Sequence, residues 1–464
     1  MLDSLFLMCF FRFFGILLLV SSSLCAGQQV RPSPATPAPG NRQSAPHPNI
    51  ILITLDTTRA DRMGFLGSTR GLTPNLDALA HDGTAFTRAY SHVPLTTASH
   101  ATILTGTYPQ YSHVNDFGVP LAAGLPYLPD ILHQQRYKTA AFVGSLILDP
   151  IAGTAPGFDR GFDLYDAGFR IKTARDNRYD TIERRAGDVV AHALAWLKTR
   201  PANAPPFFLW VHLYDPHDPY DPPEPYKSKF ADPYDGEIAY ADAMLGKLFA
   251  ALKTAGLYQS SVIAMMADHG EAFGEHGERT HGIFLYDETI HVPLVIKLAG
   301  GAGDAATAAS KHAASSDARV GLVDVTPTLL DSVGIPIPKE IQGHSLLNVI
   351  RGNTQSEKAD DQPVYSETDY PHRAFKWSSL RALRTGKYLA IEAPQRELYD
   401  QTTDPKTIKN LAAISPAVAD TCRRAREISR ADCRRPGRRR KARSRASRKT
   451  ARTRIRRWRL GFRA

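Results

Sequence analysis

Five short apolar runs break off at polar residues, and this pattern restricts the chain's folding more than any other feature. They are NIILITLD (Asn49–Asp56), TAAFVG ending at Gly144, FFLWVHLYDPH (Phe207–His217), SVIAMMADHGE (Ser261–Glu271) and VPLVIKL (Val292–Leu298). Short apolar runs rich in β-branched residues read as strands buried on both faces, the habit of parallel sheets. Helical periodicity lies between them, in NLDALAHDG (Asn75–Gly83), RRAGDVVAHALAWLKT (Arg184–Thr199) and AYADAMLGKLFAALKTAG (Ala239–Gly256). The alternation predicts an α/β fold with a mainly parallel sheet covered by helices on both faces. Such sheets bind ligands beyond the carboxyl ends of their strands. Asp56, the Asp215–His217 segment and Asp268–His269 all follow strands, so they are expected to converge.

LVDVTPTLLDSVGIP (Leu322–Pro336) predicts a helix with a glycine stop. A smaller α+β subdomain is expected over 361–412, where SSLRALRTGKYLAIE reads as two strands about a turn at Thr385–Gly386. Residues 300–319 are low in complexity and read as a surface loop.

The two ends differ from the body. Leu5–Val20 is almost wholly apolar and SSSLCAG follows it, so 1–27 reads as a signal peptide and the protein as exported, periplasmic or secreted. The Pro- and Ala-rich 28–48 reads as an extended linker. No membrane span is expected once the signal is cleaved, because the run is short and Arg12 interrupts it. The net charge is +11, but residues 421–464 hold 20 Lys and Arg against Glu427 and Asp432, leaving 1–420 at −7 (11 less 18). The body is therefore not read as a nucleic-acid binder, and 422–464 reads as a disordered basic tail. The cysteines are Cys9, Cys25, Cys422 and Cys433. None lies in the folded body, which excludes disulfides and thiol chemistry there.

VPLTTASHATILTGTYP (Val93–Pro109) places Thr96, Thr97, Ser99 and His100 ahead of a short helix. Hydroxyls there either cap the helix or include a nucleophile in the positive field of its N-terminus, where an anionic substrate also sits. Asp56 and the adjacent pair Asp268–His269 offer oxygen and nitrogen ligands to a metal. His217 in YDPHDPY and His281 in RTHG are further candidates at the same edge.

These motifs, in this order, resemble the sulfatase family of the alkaline phosphatase superfamily, over roughly Asn49 to Leu411. NIILITLDTTRADRMG resembles the opening strand with its metal-binding Asp. TTASHATILTGTYP resembles the signature in which Cys or Ser, any residue, Pro, Ser and Arg precede Leu-Thr-Gly. DPHDPY, ADHGEAFGEH…THG, GKYLAIE and ELYDQTTDP resemble later family segments. The resemblance implies an alkaline-phosphatase-like fold, a catalytic domain over 49–350 and the closing subdomain at 361–412. It implies one divalent metal held by Asp56, Asp268, His269 and the Thr96 oxygen. Thr96 becomes the nucleophile, Ser99 and His100 support it, and His217 and His281 hold substrate oxygens or protonate the leaving oxygen.

The chain departs from the family where it matters most. The alignment puts Thr96 where sulfatases oxidise Cys or Ser to formylglycine, and Thr cannot form that aldehyde. Ala98 and His100 replace the usual Pro and Arg. Thr57 and His269 replace an Asp and an Asn of calcium-type sites, which favours zinc or manganese and leaves calcium possible. Three readings follow. One is a hydrolase of sulfate or phosphate esters, acting on a small molecule, glycan or lipid. The second is a phosphoethanolamine- or phosphoglycerol-type transferase. The third is an inactive binding protein that keeps the fold.

Overall fold

The computed structural model describes residues 47–169, 183–201, 203–300, 315–352 and 362–420. The signal, the basic tail and almost all of the linker lie outside the described residues, as does most of the low-complexity loop.

The apolar runs form the strands they predict: β1 (Asn49–Leu55), β3 (Lys138–Val143), β5 (Phe207–Leu213) and β6 (Ser261–Ala267). Three further strands come from less apolar sequence: β2 (Thr84–Tyr90), β4 (Leu164–Asp166) and β9 (Ser315–Gly321). With β7 (His291–Val292) and β8 (Leu294–Lys297) they make one nine-stranded sheet, ordered β4-β3-β5-β1-β6-β8-β2-β7 with β9 beside β2. Ile50 to Leu55 are all buried, on both faces of the sheet, as a strand covered above and below requires.

One expectation is corrected. VPLVIKL was expected to be a parallel strand, but β8 runs antiparallel to both β6 and β2. A parallel return needs a crossover helix. Between β6 and β7 there is only the one-turn helix Asp287–Ile290, so the chain re-enters the sheet at the edge where it left. Pro293 splits the run into two strands.

Helices α1 (Pro74–Asp82) and α2 (Thr96–Thr105) flank β2 in sequence. Every residue of α2 is buried, so it is a central helix rather than a surface one. It stops at Gly106, whose φ of 62° is left-handed, and a Cβ there would press on Ile341. The helices Ala186–Lys198, Pro233–Thr254 and Val325–Ser332 fall on the periodic stretches read from sequence.

The C-terminal unit is an antiparallel sheet of β10 (Val364–Thr368), β11 (Leu380–Thr385), β12 (Tyr388–Glu392) and β13 (Glu397–Asp400), in that order. Thr385 pairs with Tyr388, so the hairpin loop is Gly386–Lys387, one residue later than expected. This unit grips the segment leading into α2: Ser366 Oγ donates to Ser91 O at 2.8 Å and Glu367 N to His92 O at 2.9 Å. Among the described residues, no helix is long and apolar enough to cross a membrane.

Candidate active site

The strand order brings β5, β1 and β6 side by side. Asp56 leaves the end of β1, Asp268 and His269 leave β6, and α2 delivers Thr96 to the same place. The hydroxyls do not cap this helix. It begins at Thr96 itself, and its cap residue Leu95 has no side-chain bond to offer. Thr96 Oγ1 instead lies 3.4 Å from Asp56 Oδ1, to which it donates, and 3.4 Å from His269 Nε2. Ser99 Oγ donates to the Asp268 carbonyl at 2.7 Å, tying α2 to the end of β6. Thr97 Oγ1 is buried without a hydrogen bond.

Asp56, Asp268 and His269 are all fully buried, and one ligand atom from each lies within 4.8 Å of the others. Two carboxylates shut away from water repel, and the site shows it. Burial pushes Asp56 up, but His212, His217 and His269 together hold it well below the usual carboxylate range. Asp268 is pushed well above that range by burial and then by the charge on Asp56. Asp268 Oδ1 is satisfied by the backbone N–H groups of His269 and Thr57, at 2.8 and 3.3 Å. Asp56 Oδ2 and Asp268 Oδ2 are left without partners.

His269 is set up as a ligand. Its Nδ1 lies 3.0 Å from the Gly270 carbonyl, which can only accept, so Nδ1 carries the proton. Burial and then the charge of His281 push its pKa well down, so Nε2 presents a lone pair 3.5 Å from Asp268 Oδ2. A divalent cation fits this donor set of two carboxylates and a neutral imidazole. Gly270 permits the close packing behind His269: a Cβ there would strike the Glu288 carbonyl.

The other sequence candidates divide. His281 reaches the site, its ring 4.5 Å from that of His269. Its Nδ1 lies 3.0 Å from Glu271 Oε1. Burial opposes its charge, but Glu271 outweighs burial and raises its pKa. His217 lies farther out, 5.4 Å from the His281 ring and stacked on Tyr214. His100 sits one helical turn after Thr96, its Nδ1 donating to the Thr96 carbonyl at 2.8 Å. Asp215 does not converge with the others. It turns to the helix Ala186–Lys198 and accepts from Ala186 N at 2.7 Å.

Three residues that matter were not read from sequence. Glu271 is fully buried and also accepts from Tyr220 Oη at 3.0 Å, which fixes the carboxylate that holds His281. Thr54 and His212 sit inside the central strands. Thr54 Oγ1 accepts from Trp210 Nε1 at 3.0 Å and bonds His212 Nδ1 at 3.0 Å and His100 Nε2 at 3.1 Å. A hydroxyl has one proton and two acceptor sites. With Trp210 on one site, one imidazole nitrogen must donate and the other accept. Burial and the neighbouring His212 push His100 down to about 3, so it is neutral, and its proton is already on Nδ1. His100 Nε2 therefore accepts, and His212 Nδ1 donates. That turns His212 Nε2 toward Asp56 Oδ2 at 3.6 Å. The available signal was a lone histidine inside the otherwise apolar FFLWVHL.

Thr54→Val keeps the shape and removes the hub. It is expected to weaken metal binding at least tenfold by loosening Asp56, while Thr54→Ser restores it. Competition titration with a chromophoric chelator measures this, and unchanged affinity in Thr54→Val would show that the network only fills space.

A mainly parallel sheet with its site at the carboxyl edge and a small antiparallel closing sheet is the architecture of the alkaline phosphatase superfamily. Within it, this chain belongs to the sulfatase family: residues 48–335 match the family model described as Sulfatase. Residues 274–426 also match the model described as N-sulphoglucosamine sulphohydrolase, C-terminal. The chain is thus a sulfatase-family hydrolase, from a group of ester hydrolases whose members use a divalent metal ion. It is 26% identical over 415 residues to the ulvan-active sulfatase of Formosa agariphila, covering 78% of this chain and 77% of that one. It is 24% identical over 471 residues to arylsulfatase K of Rattus norvegicus, covering 87% and 81%. Its fold is similar to the crystal structure of the phosphonate monoester hydrolase of Agrobacterium radiobacter. The TM-score is 0.68 at 22% identity, covering 83% of this chain and 96% of that one.

Proposed function

We propose that this chain hydrolyses sulfuric or phosphoric esters through Thr96, and that phosphoryl esters suit it better. The observation that carries this reading is the Thr96 hydroxyl, buried at the start of α2 and 3.4 Å from both Asp56 Oδ1 and His269 Nε2. Asp56, Asp268 and His269 would hold a divalent cation, zinc or manganese before calcium. The chemistry such an ion supplies is a lowered hydroxyl pKa and stabilisation of charge on the transferring group.

The chain's own groups do the rest. Thr96 gives up its proton to water, since Asp56 is too weak a base to keep it, and its oxygen bonds to phosphorus or sulfur as the ester oxygen departs. His281, held by Glu271, gives the departing oxygen a proton, with His217 beside it. Water then bonds to the same atom, the Thr96 oxygen leaves, and Thr96 and His281 recover their protons. Formylglycine enzymes shed sulfate by collapsing to an aldehyde. A threonyl ester has no such route and must be displaced by water, which is why phosphoryl esters are favoured. The name of the Formosa relative supports a glycan as the carrier of the ester. Leu5–Val20 supports export.

The test is turnover of aryl sulfate, phosphate monoester, phosphate diester and phosphonate monoester probes by protein of known metal content. Hydrolysis of a phosphoryl probe, with the metal bound, supports the reading. Metal-loaded protein that turns over none of the four overturns it and leaves a binding protein.

A further inference from the structure

Large apolar side chains exposed on the described surface are few, and two of them, Phe375 at 47% and Trp377 at 56%, stand together. Their rings are 5.1 Å apart. They are the outer end of a ladder. Phe375 packs edge-on against Tyr370 at 5.9 Å, and Tyr370 against Phe117 at 6.2 Å. The inner end lies at the site. Tyr370 and Phe117 cover Val93, Leu95 and Ala98, the residues around Thr96. Tyr370 also packs so closely on Gly282, next to His281, that a Cβ there would meet its ring at 3.1 Å.

The ladder is held stiffly. Asn115 Nδ2 donates to Asp369 Oδ2 at 2.9 Å and Arg373 pairs with Asp116 at 2.7 Å, joining the two segments that carry it. His372 Nδ1 meets the Trp377 carbonyl at 3.0 Å, and Trp377 N donates to Pro371 O at 3.1 Å, folding the outer ring back onto its helix. Exposed aromatic rings stay in water at a cost, and a contiguous row of them marks a binding surface. Lys376 and the half-exposed Arg373, which Asp116 holds in place, stand beside the outer rings, so the strip offers cations as well as aromatic faces.

We infer that Tyr370, Phe375 and Trp377 form a subsite for the sugar units of an anionic glycan whose terminal ester lies at Thr96. This rests on the ester-hydrolase reading with its glycan carrier and adds the residues that hold the sugar units. Sugar rings have apolar C–H faces that stack on aromatic rings, and their sulfate or phosphate groups meet Lys376 and the outer face of Arg373. An acyl chain needs a groove to enclose it. This strip is open, with its outer rings about half exposed.

The test is calorimetric binding of tetrasaccharide fractions from heparin, carrageenan and dextran sulfate to Thr96→Ala protein, which binds without turnover. At least one is expected to bind. Phe375→Ala and Trp377→Ala are each expected to weaken it roughly tenfold, and Trp377→Tyr to restore much of it. Both residues are exposed, so the variants keep the fold, and circular dichroism checks this. Equal affinity in the variants overturns the inference, as does failure of all three tetrasaccharides to bind. So does binding to anionic lipid vesicles in their place. Ring-dependent glycan binding by a protein that hydrolyses no ester would sink the hydrolase reading and leave the subsite standing.

Discussion

Thr96→Ala is expected to lower turnover by a factor of at least about a thousand while leaving the fold intact. The two halves of this expectation have separate causes. The hydroxyl is the group aimed at Asp56 and His269, so its removal takes away the oxygen that we propose attacks the ester. The same hydroxyl caps nothing, and its two contacts are long, so its loss costs no more than about 1 kcal/mol of stability. Thr96→Ser keeps an oxygen in place and should retain measurable activity. Thr97→Ala should be mild, because that hydroxyl makes no hydrogen bond. A slow phosphoryl ester should leave a covalent adduct on the peptide containing Thr96, read by mass spectrometry. Full activity in Thr96→Ala would move the nucleophile elsewhere, and with it the whole mechanism.

Asp268→Asn is expected to lower metal affinity at least a hundredfold, and to do something less intuitive to stability. In metal-free protein, Asp268 ionises only at a cost, because burial and the charge on Asp56 push it well above the carboxylate range. The amide keeps an oxygen to accept from the His269 and Thr57 backbones and discards the charge. Metal-free Asp268→Asn should therefore melt no lower than metal-free wild type. Adding zinc or manganese should raise the wild-type melting temperature and leave the variant's unmoved, since a ligand stabilises only the state that binds it. Metal analysis and thermal unfolding, with and without chelator, read both effects. Stoichiometric metal retained by the variant would remove Asp268 from the ligand set.

Much of this was readable in the amino-acid order because it is local. A short, mainly apolar, β-branched run such as NIILITL reads as a strand covered on both faces, and the acid that ends it then sits at an edge. The meeting of Asp56, Asp268 and His269 was legible for that reason, and the motifs taken together led to Thr96 and His281, which lie beside them. The sequence did not reveal which strands are neighbours or which way they run. Apolar periodicity is the same for a parallel and an antiparallel strand, so the reversal of β8 was decided by the lack of a crossover helix before it. Thr54, His212 and His100 meet only because β1 and β5 pair in register and α2 crosses above them. Glu271 gained its role only when His281, ten residues on, folded back over it. The aromatic ladder joins Leu95 to a helix 275 residues later in the chain. By itself the sequence determined the class of fold and the chemical types at the strand ends. The tertiary structure decided which of them share a dry pocket, and there like charges, fixed tautomers and a freed hydroxyl give residues a chemistry that none has alone.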